Sequence, residues 1–475
     1  VGISRHKFEH ARHSPKARSA AIVGGGWAGF AAALTLARSG WRVTLYEAAR
    51  EAGGRARALE LPQIGGAAVR VDNGQHILIG AYTESLRLMR SVGVDCAQTL
   101  HRQALALPYA DGSGLRFAAR WPAPLDALLG ILGARGWPWR ERAALLARTL
   151  RWCLARFDCA DDATVATLCH GLPPKVMLEC MEPLCISALN TPPHEASARV
   201  FLRVLRDALL HGRGGSHFLL PRCDLGQIFP VPAMQWLRAH GHTVHLGQRV
   251  LGLHMLANKA WHVQAQHASD ALFDAVVLAC PAPEAARLAL AAAQSLHENT
   301  HENTHENAAP LQAAWQRWAA QAQALQYRPI ATVYAQTRQR GACLPPGQPW
   351  LALRTTPEQP AQFVFDRGQL GGPAGLMAFV VSHSTAARAA LQTQVLAQAR
   401  AQLGWHDVQA LGTVVDKRAT FACLPQLQRP ASALGGSLWA CGDYTSGPYP
   451  ATLEGAVRSA VQAAQALAQV FTLSQ

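Results

Sequence analysis

Between Ser19 and Ala37 the chain runs without a charge, broken only by glycines at 24, 25, 26 and 29. Apolar spacing predicts a strand over Ala20–Gly24, a helix over Trp27–Ser39 and a second strand over Arg42–Glu47, the order of a βαβ unit. From Tyr82 to about His217 the spacing is largely helical, with Trp121, Trp137, Trp139 and Trp152 spread along it. Thr243–His254 alternates as a strand, and Ala275–Cys280 is an apolar strand stopped by Pro281. Ile330–Ala335, Trp350–Arg354, Gln362–Asp366 and Leu376–Ser382 predict an antiparallel sheet. A helix over Ala386–Leu403 follows, and the chain closes with strand Ser437–Cys441, a turn and helix Thr452–Phe471.

A chain of 475 residues is too long for one ordinary core. The expected class is α/β: a discontinuous Rossmann-like dinucleotide domain (19–81, 218–285 and 415–475) with an inserted α+β substrate domain (82–217 and 286–414) built on the antiparallel sheet. Residues 1–18, rich in Arg and His, read as a flexible basic arm. HENTHENTHEN at 297–307 is a low-complexity repeat expected in an exposed loop, and no metal role is expected of its histidines.

With 49% hydrophobic and 16% charged residues, the chain buries a large interior and is not a disordered polymer. Its 44 Lys+Arg against 30 Asp+Glu give a formal +14, which favours polyanions. Arginine dominates and is scattered through helices beside Trp and Leu, which favours an anionic membrane surface over nucleic acid. Arg140–Phe157 places Leu, Ala and Trp on one face, with Arg142, Arg148, Arg151 and Arg156 around it. Such a helix suits anionic lipid, or is an ordinary surface helix with a solvated Arg face.

Eleven cysteines without CxxC spacing read as reduced buried thiols of a cytosolic protein. The Ser19–Ala37 run resembles a signal peptide or anchor, but its glycines mark a nucleotide-binding turn; no other stretch approaches the roughly 20 apolar residues of a membrane span. The expected location is cytoplasmic, peripheral on the inner face of the membrane.

Gly24-Gly25-Gly26-Trp27-Ala28-Gly29 fits GxGxxG after a strand and at the opening of a helix. Gly24 permits the turn, Gly26 lets backbone approach a pyrophosphate, and Gly29 lets helix pack on strand. Glu47, at the end of the next strand, suits the ribose hydroxyls and repels a 2′-phosphate. Gly53-Gly54-Arg55-Ala56-Arg57 adds bare backbone and cations for continued pyrophosphate contact, which points to FAD over NAD. Cys441-Gly442-Asp443-Tyr444 and the run from Gly447 to Ala456 form the second half of the grip. There Asp443 suits a ribityl hydroxyl, and Ala451 and Thr452 open a helix toward the flavin. Val250 is a further cofactor-binding candidate on the late strand.

GGGWAG, Glu47, GGRAR, VDNGQH (Val71–His76) and Ala440–Ser459 resemble the amine-oxidase and carotenoid-desaturase flavoprotein superfamily. More narrowly, VDNGQHILIGAY (Val71–Tyr82) and FVFDR (Phe363–Arg367) resemble the hydroxysqualene dehydroxylases of bacterial hopanoid synthesis. Two departures stand out: Cys223-Asp224 replaces a Gly-Gly-like pair, and the HENT repeat has no counterpart. The resemblance implies FAD and an apolar isoprenoid substrate, with upstream squalene-pathway synthases as partners. The implied reaction is removal of a hydroxyl from an allylic C30 alcohol, with reduced flavin as hydride source. His76, Asp366, Arg367 and Tyr449, with Tyr444, are the candidates for acid and orienting roles. A carotenoid or polyprenyl desaturase, and a flavin-free prenyl-lipid escort, remain alternatives.

Overall fold

The computed structural model describes residues 17–62, 68–210, 212, 214–267, 271–299, 308–337 and 344–473. Residues 1–16 of the basic arm and 300–307 of the HENT repeat lie outside the described residues.

Six strands form the first sheet, in the order Thr243–Leu246, Arg42–Glu47, Ser19–Val23, Ala275–Leu278, Leu438–Ala440, Ala433–Gly435. All neighbours are parallel except the last pair. A parallel sheet is covered on both faces, which is why its central strands are continuously apolar. Along Ser19–Val23 the pleat divides the side chains. Ala20 and Ile22 join the core under helices Trp27–Arg38 and Leu453–Leu473. Ala21 and Val23 face the other way, toward the three-stranded antiparallel sheet of Val250–Met255, Trp261–Ala265 and Ala271–Phe273.

The second large sheet is antiparallel, in the order Trp350–Ala352, Phe363–Asp366, Leu376–Ser382, Tyr327–Gln336, Gln409–Phe421. Val364, Met377 and Phe379 lie beneath helix Arg388–Leu403, while Phe363, Phe365 and Val380 face the main core.

Several expectations are redrawn. The run 243–254 is two strands in two sheets: Gly247, at φ +68°, turns the chain, and its amide bonds Ala49 instead of continuing the ladder. Gln409–Phe421 stays in the antiparallel sheet to its end, past the boundary placed at 415. Helices Ala282–Asn299 and Ala308–Gln323, placed with the inserted domain from 286 on, pack on Val250–Met255 and Ala433–Gly435 beside the parallel sheet. Short strands at Leu100–Gln103, Ala106–Pro108 and Gly114–Arg116 interrupt the stretch read as helical.

Candidate functional site

Gly24 ends the first strand at φ +117°, and an added Cβ there would lie 2.7 Å from the carbonyl oxygen of Ala279. At Gly29 an added Cβ would lie 1.8 Å from the carbonyl oxygen of Gly24, so only glycine lets the helix come this close to the strand. Gly26 caps helix Trp27–Arg38 but has no side chain to satisfy its first amides, and no acidic residue stands in the first turn. Asp95, Thr164 and Asp224 do cap their helices. The uncapped helix opens onto a cavity, and an added Cβ at Gly26 would have its nearest neighbours, Gly53 and Gly54, only at 3.9 Å. Free amides and a bare cradle fit a pyrophosphate. Glu47 closes this end: its carboxylate accepts from the amides of Gly25 (2.6 Å) and Ala49 (2.7 Å), leaving a second lone pair on each oxygen.

The other half comes from the far end of the chain. Gly442 donates to the hydroxyl of Ser459 (2.9 Å), fastening the strand end to the last helix. Ala451 takes φ +57°, and its amide bonds the Asp443 carbonyl. Thr452 then caps the helix by accepting from Gly455 (2.9 Å). Asp443 is held by Arg55 at 2.5 Å, and the same guanidinium donates to the Ala419 carbonyl at 2.7 Å. Burial would lower the Arg55 pKa, but Asp443 outweighs it and raises it. Arg55 therefore orders Asp443, and with Gly54 and Arg57 it also lines the cavity.

One cavity of about 850 Å³ joins these groups. Gly24, Gly26, Trp27, Ala28, Glu47, Val250, Gly442, Asp443, Ala451 and Thr452 line one part. Much of the remaining lining is apolar and aromatic, including Leu145, Trp152, Phe201, Phe218, Phe363 and Phe365. His76 stands on this cavity, and its Nδ1–H donates to the Gly74 carbonyl (2.7 Å), so Nε2 carries the lone pair. Burial pushes the His76 pKa below its ordinary value, against the Gly74 bond, and the Arg55 charge pushes the same way.

Tyr449 also lines the cavity, with the guanidinium groups of Arg203 and Arg458 at 5.3 and 5.0 Å from its ring centre. Beside it is Asp207, which no sequence signal singled out. Burial alone would raise the Asp207 carboxyl, but hydrogen bonds to Tyr449 and Arg203 and the charges of Arg203 and Arg206 hold it below the usual range. The four-residue spacing of Arg203 and Asp207 was visible in the sequence; the position of Asp207 at the cavity was not.

Asp366 and Arg367 are not brought to the cavity. Strand alternation points Phe363 and Phe365 inward, and Asp366, 1% exposed, accepts from Gln369 and holds the start of the turn Gly368–Leu370. Arg367 donates to the Pro221 carbonyl and to Gln75, supporting the segment before His76. Asp224, of the departing Cys-Asp pair, caps helix Leu225–Ile228.

Fold and site define a flavin-dinucleotide oxidoreductase. The chain belongs to the flavin containing amine oxidoreductase family, whose pattern matches residues 27–468, and it is an FAD-dependent enzyme; the flavin-free escort falls away. It is similar to hydroxysqualene dehydroxylases of Zymomonas mobilis (26% identity over 55% of this chain) and Rhodopseudomonas palustris (27% over 56%). Those alignments span 61% and 62% of the relatives' own lengths. Among solved structures, an oxidoreductase from Methanosarcina mazei is similar at TM-score 0.68 and 14% identity, covering 94% of this chain and all of that one. Cyclohexylamine oxidase from Brevibacterium oxydans is similar at TM-score 0.64 and 15% identity, covering 96% of this chain and 100% of its own. Both share the fold.

Proposed function

We propose that the enzyme removes the hydroxyl of hydroxysqualene, an allylic C30 alcohol, to give squalene. The observation that carries this reading is the continuity of the dinucleotide cradle with a long apolar, aromatic cavity. Similarity to two hydroxysqualene dehydroxylases supports it.

Bound FAD, when reduced, supplies the hydride that replaces the departing hydroxyl. The chain's part is to make that departure possible. His76 Nε2 faces a cavity whose other walls are largely apolar, so it orients the alcohol; as the imidazolium it gives the hydroxyl a proton. The C–O bond then breaks with its electron pair leaving on water. Faces of Phe201, Phe218, Phe363 and Phe365 shelter the allylic cation and exclude bulk water.

The test is anaerobic incubation of the photoreduced holoenzyme with hydroxysqualene. Squalene formed in step with flavin reoxidation supports the reading. No squalene, with oxidation of a carotenoid precursor by the oxidised enzyme, replaces it with a desaturase. A short likeness to carotenoid phi-ring synthase of Streptomyces griseus, 38% over 25% of this chain and 23% of that one, keeps that second reading in view.

A further inference from the structure

Helix Trp139–Leu154 has two unlike faces. Leu145, Thr149 and Trp152 line the cavity. The solvent side carries Trp139, Ala143, Ala147, Leu150 and Leu154, spaced at four, four, three and four residues, a single stripe on a helix. Trp139, Leu150 and Leu154 are 64%, 60% and 76% exposed. A solvated arginine face would put charge there; instead the stripe is apolar, with Arg140 and Arg151 at its edges. Arg142 and Arg148 are tied down elsewhere, donating to the carbonyls of Leu132 and Leu168.

The neighbouring helix Leu125–Leu132 repeats the design. Leu125, Leu128 and Leu129 are exposed while Ile131 lines the cavity, and exposed Trp121 precedes it. The two helices pack together, and Arg142 bridges them. Across residues 120–156 the acidic residues are Asp126, Glu141 and none besides until Asp158, against seven arginines and no lysine. Asp126 is buried and accepts from Ser216, so it does not offset the outer charge.

An outward apolar stripe with tryptophans at its margin and a basic surround is complementary to an anionic bilayer. We infer that helices Leu125–Leu132 and Trp139–Leu154 dock this enzyme in the surface of an anionic lipid membrane. The same two helices wall the cavity from within, so the docked face is also the thin partition between lipid and site. Entry of substrate through it rests on the apolar-substrate reading above; docking itself does not.

Co-sedimentation of FAD-loaded protein with phosphatidylglycerol-containing vesicles tests the docking without any substrate. Wild type is expected in the pellet, and Leu150→Glu/Leu154→Glu is expected to bind at least about a hundredfold more weakly, from the lost burial of two leucines. Its retained flavin absorbance shows that it is folded. Arg140→Gln/Arg151→Gln should weaken binding to these vesicles and remove its salt sensitivity, while leaving any residual binding to phosphatidylcholine vesicles unchanged. Wild type remaining in the supernatant, or equal binding by the double glutamate variant, overturns the inference. So does a dimer in light scattering that the glutamates dissolve, which would make the stripe a protein interface. If docking holds but hydroxysqualene is not turned over, the functional reading fails and this one stands.

Discussion

Replacing Gly29 with alanine separates the cradle's geometry from general stability. The new methyl would lie 1.8 Å from the Gly24 carbonyl oxygen, about 1.6 Å inside the 3.4 Å where ordinary contact begins. The obstacle is backbone, so relief requires the start of helix Trp27–Arg38 to move off the strand by more than an ångström. Overpacking of this kind costs about 1–3 kcal/mol of stability. The larger consequence is for the cofactor. The uncapped amides at the helix start move with it, and losing one charge-assisted hydrogen bond to a pyrophosphate removes about 1.5–3 kcal/mol, or roughly ten- to a hundredfold in FAD affinity. Gly40→Ala is the control: Gly40 also sits at positive φ (+82°), with nothing within 4 Å of an added Cβ. Its strain, about 1–2 kcal/mol, is of similar size but touches no part of the site. The assay is FAD titration of deflavinated protein by flavin fluorescence, with thermal midpoints for both variants. Unchanged FAD affinity in Gly29→Ala, or equal losses in both variants, would refute the assignment of Gly24–Gly29 as the pyrophosphate cradle.

Burial raises the Asp72 carboxyl to about 6, with Leu225, Arg367 and Arg70 only partly opposing it. Because the folded pKa exceeds the unfolded one, this group's stabilisation is full below about pH 4 and lost as pH rises through about 6, a change on the order of 3 kcal/mol. Asp72→Asn should flatten that part of the wild-type curve; parallel melting curves across the window would contradict it. If His76 is the proton donor, turnover rises as pH falls toward its lowered pKa, and His76→Gln should lower kcat and remove that limb of the pH profile with FAD binding intact. Leu145→Trp, filling the apolar part of the cavity, should abolish turnover of a C30 substrate while the flavin spectrum is retained; normal activity would place the substrate elsewhere. Arg55→Met should weaken FAD binding and lower stability by about 1–3 kcal/mol, reduced by the partial exposure of Arg55, because Asp443 loses its partner.

Local signals carried the parts of the fold that obey local rules. Strands Arg42–Glu47 and Leu376–Ser382 were legible to the residue, because an apolar run and its flanking turns define them without reference to the rest of the chain. The break at Gly247 was not, since alternation continues across it and only the φ +68° turn sends the two halves to different sheets. In FVFDR it is the aromatic residues and not the polar pair that reach the cavity. The pleat gives the cavity Phe363 and Phe365, and Asp366 must then face the opposite way. Arg55 with Asp443 had no readable sign, because the partners stand 388 positions apart and each has an acceptable local use. Asp207 was hidden for a related reason: an Arg four residues before an Asp is ordinary on any helix surface, and only the third dimension puts this pair beside Tyr449.

The salt bridge between Arg55 and Asp443 has a consequence for how the enzyme is made. The first strand, the glycine turn and Glu47 leave the ribosome early, but the central strand Ala275–Leu278 and then Leu438–Ala440 must be added before Asp443 exists to be held. Until then the nascent chain presents a half-built cradle beside an open aromatic pocket. Capture of the flavin thus waits for Leu438–Ala440 and Asp443, and the interval before it is when this apolar interior depends most on protection from aggregation.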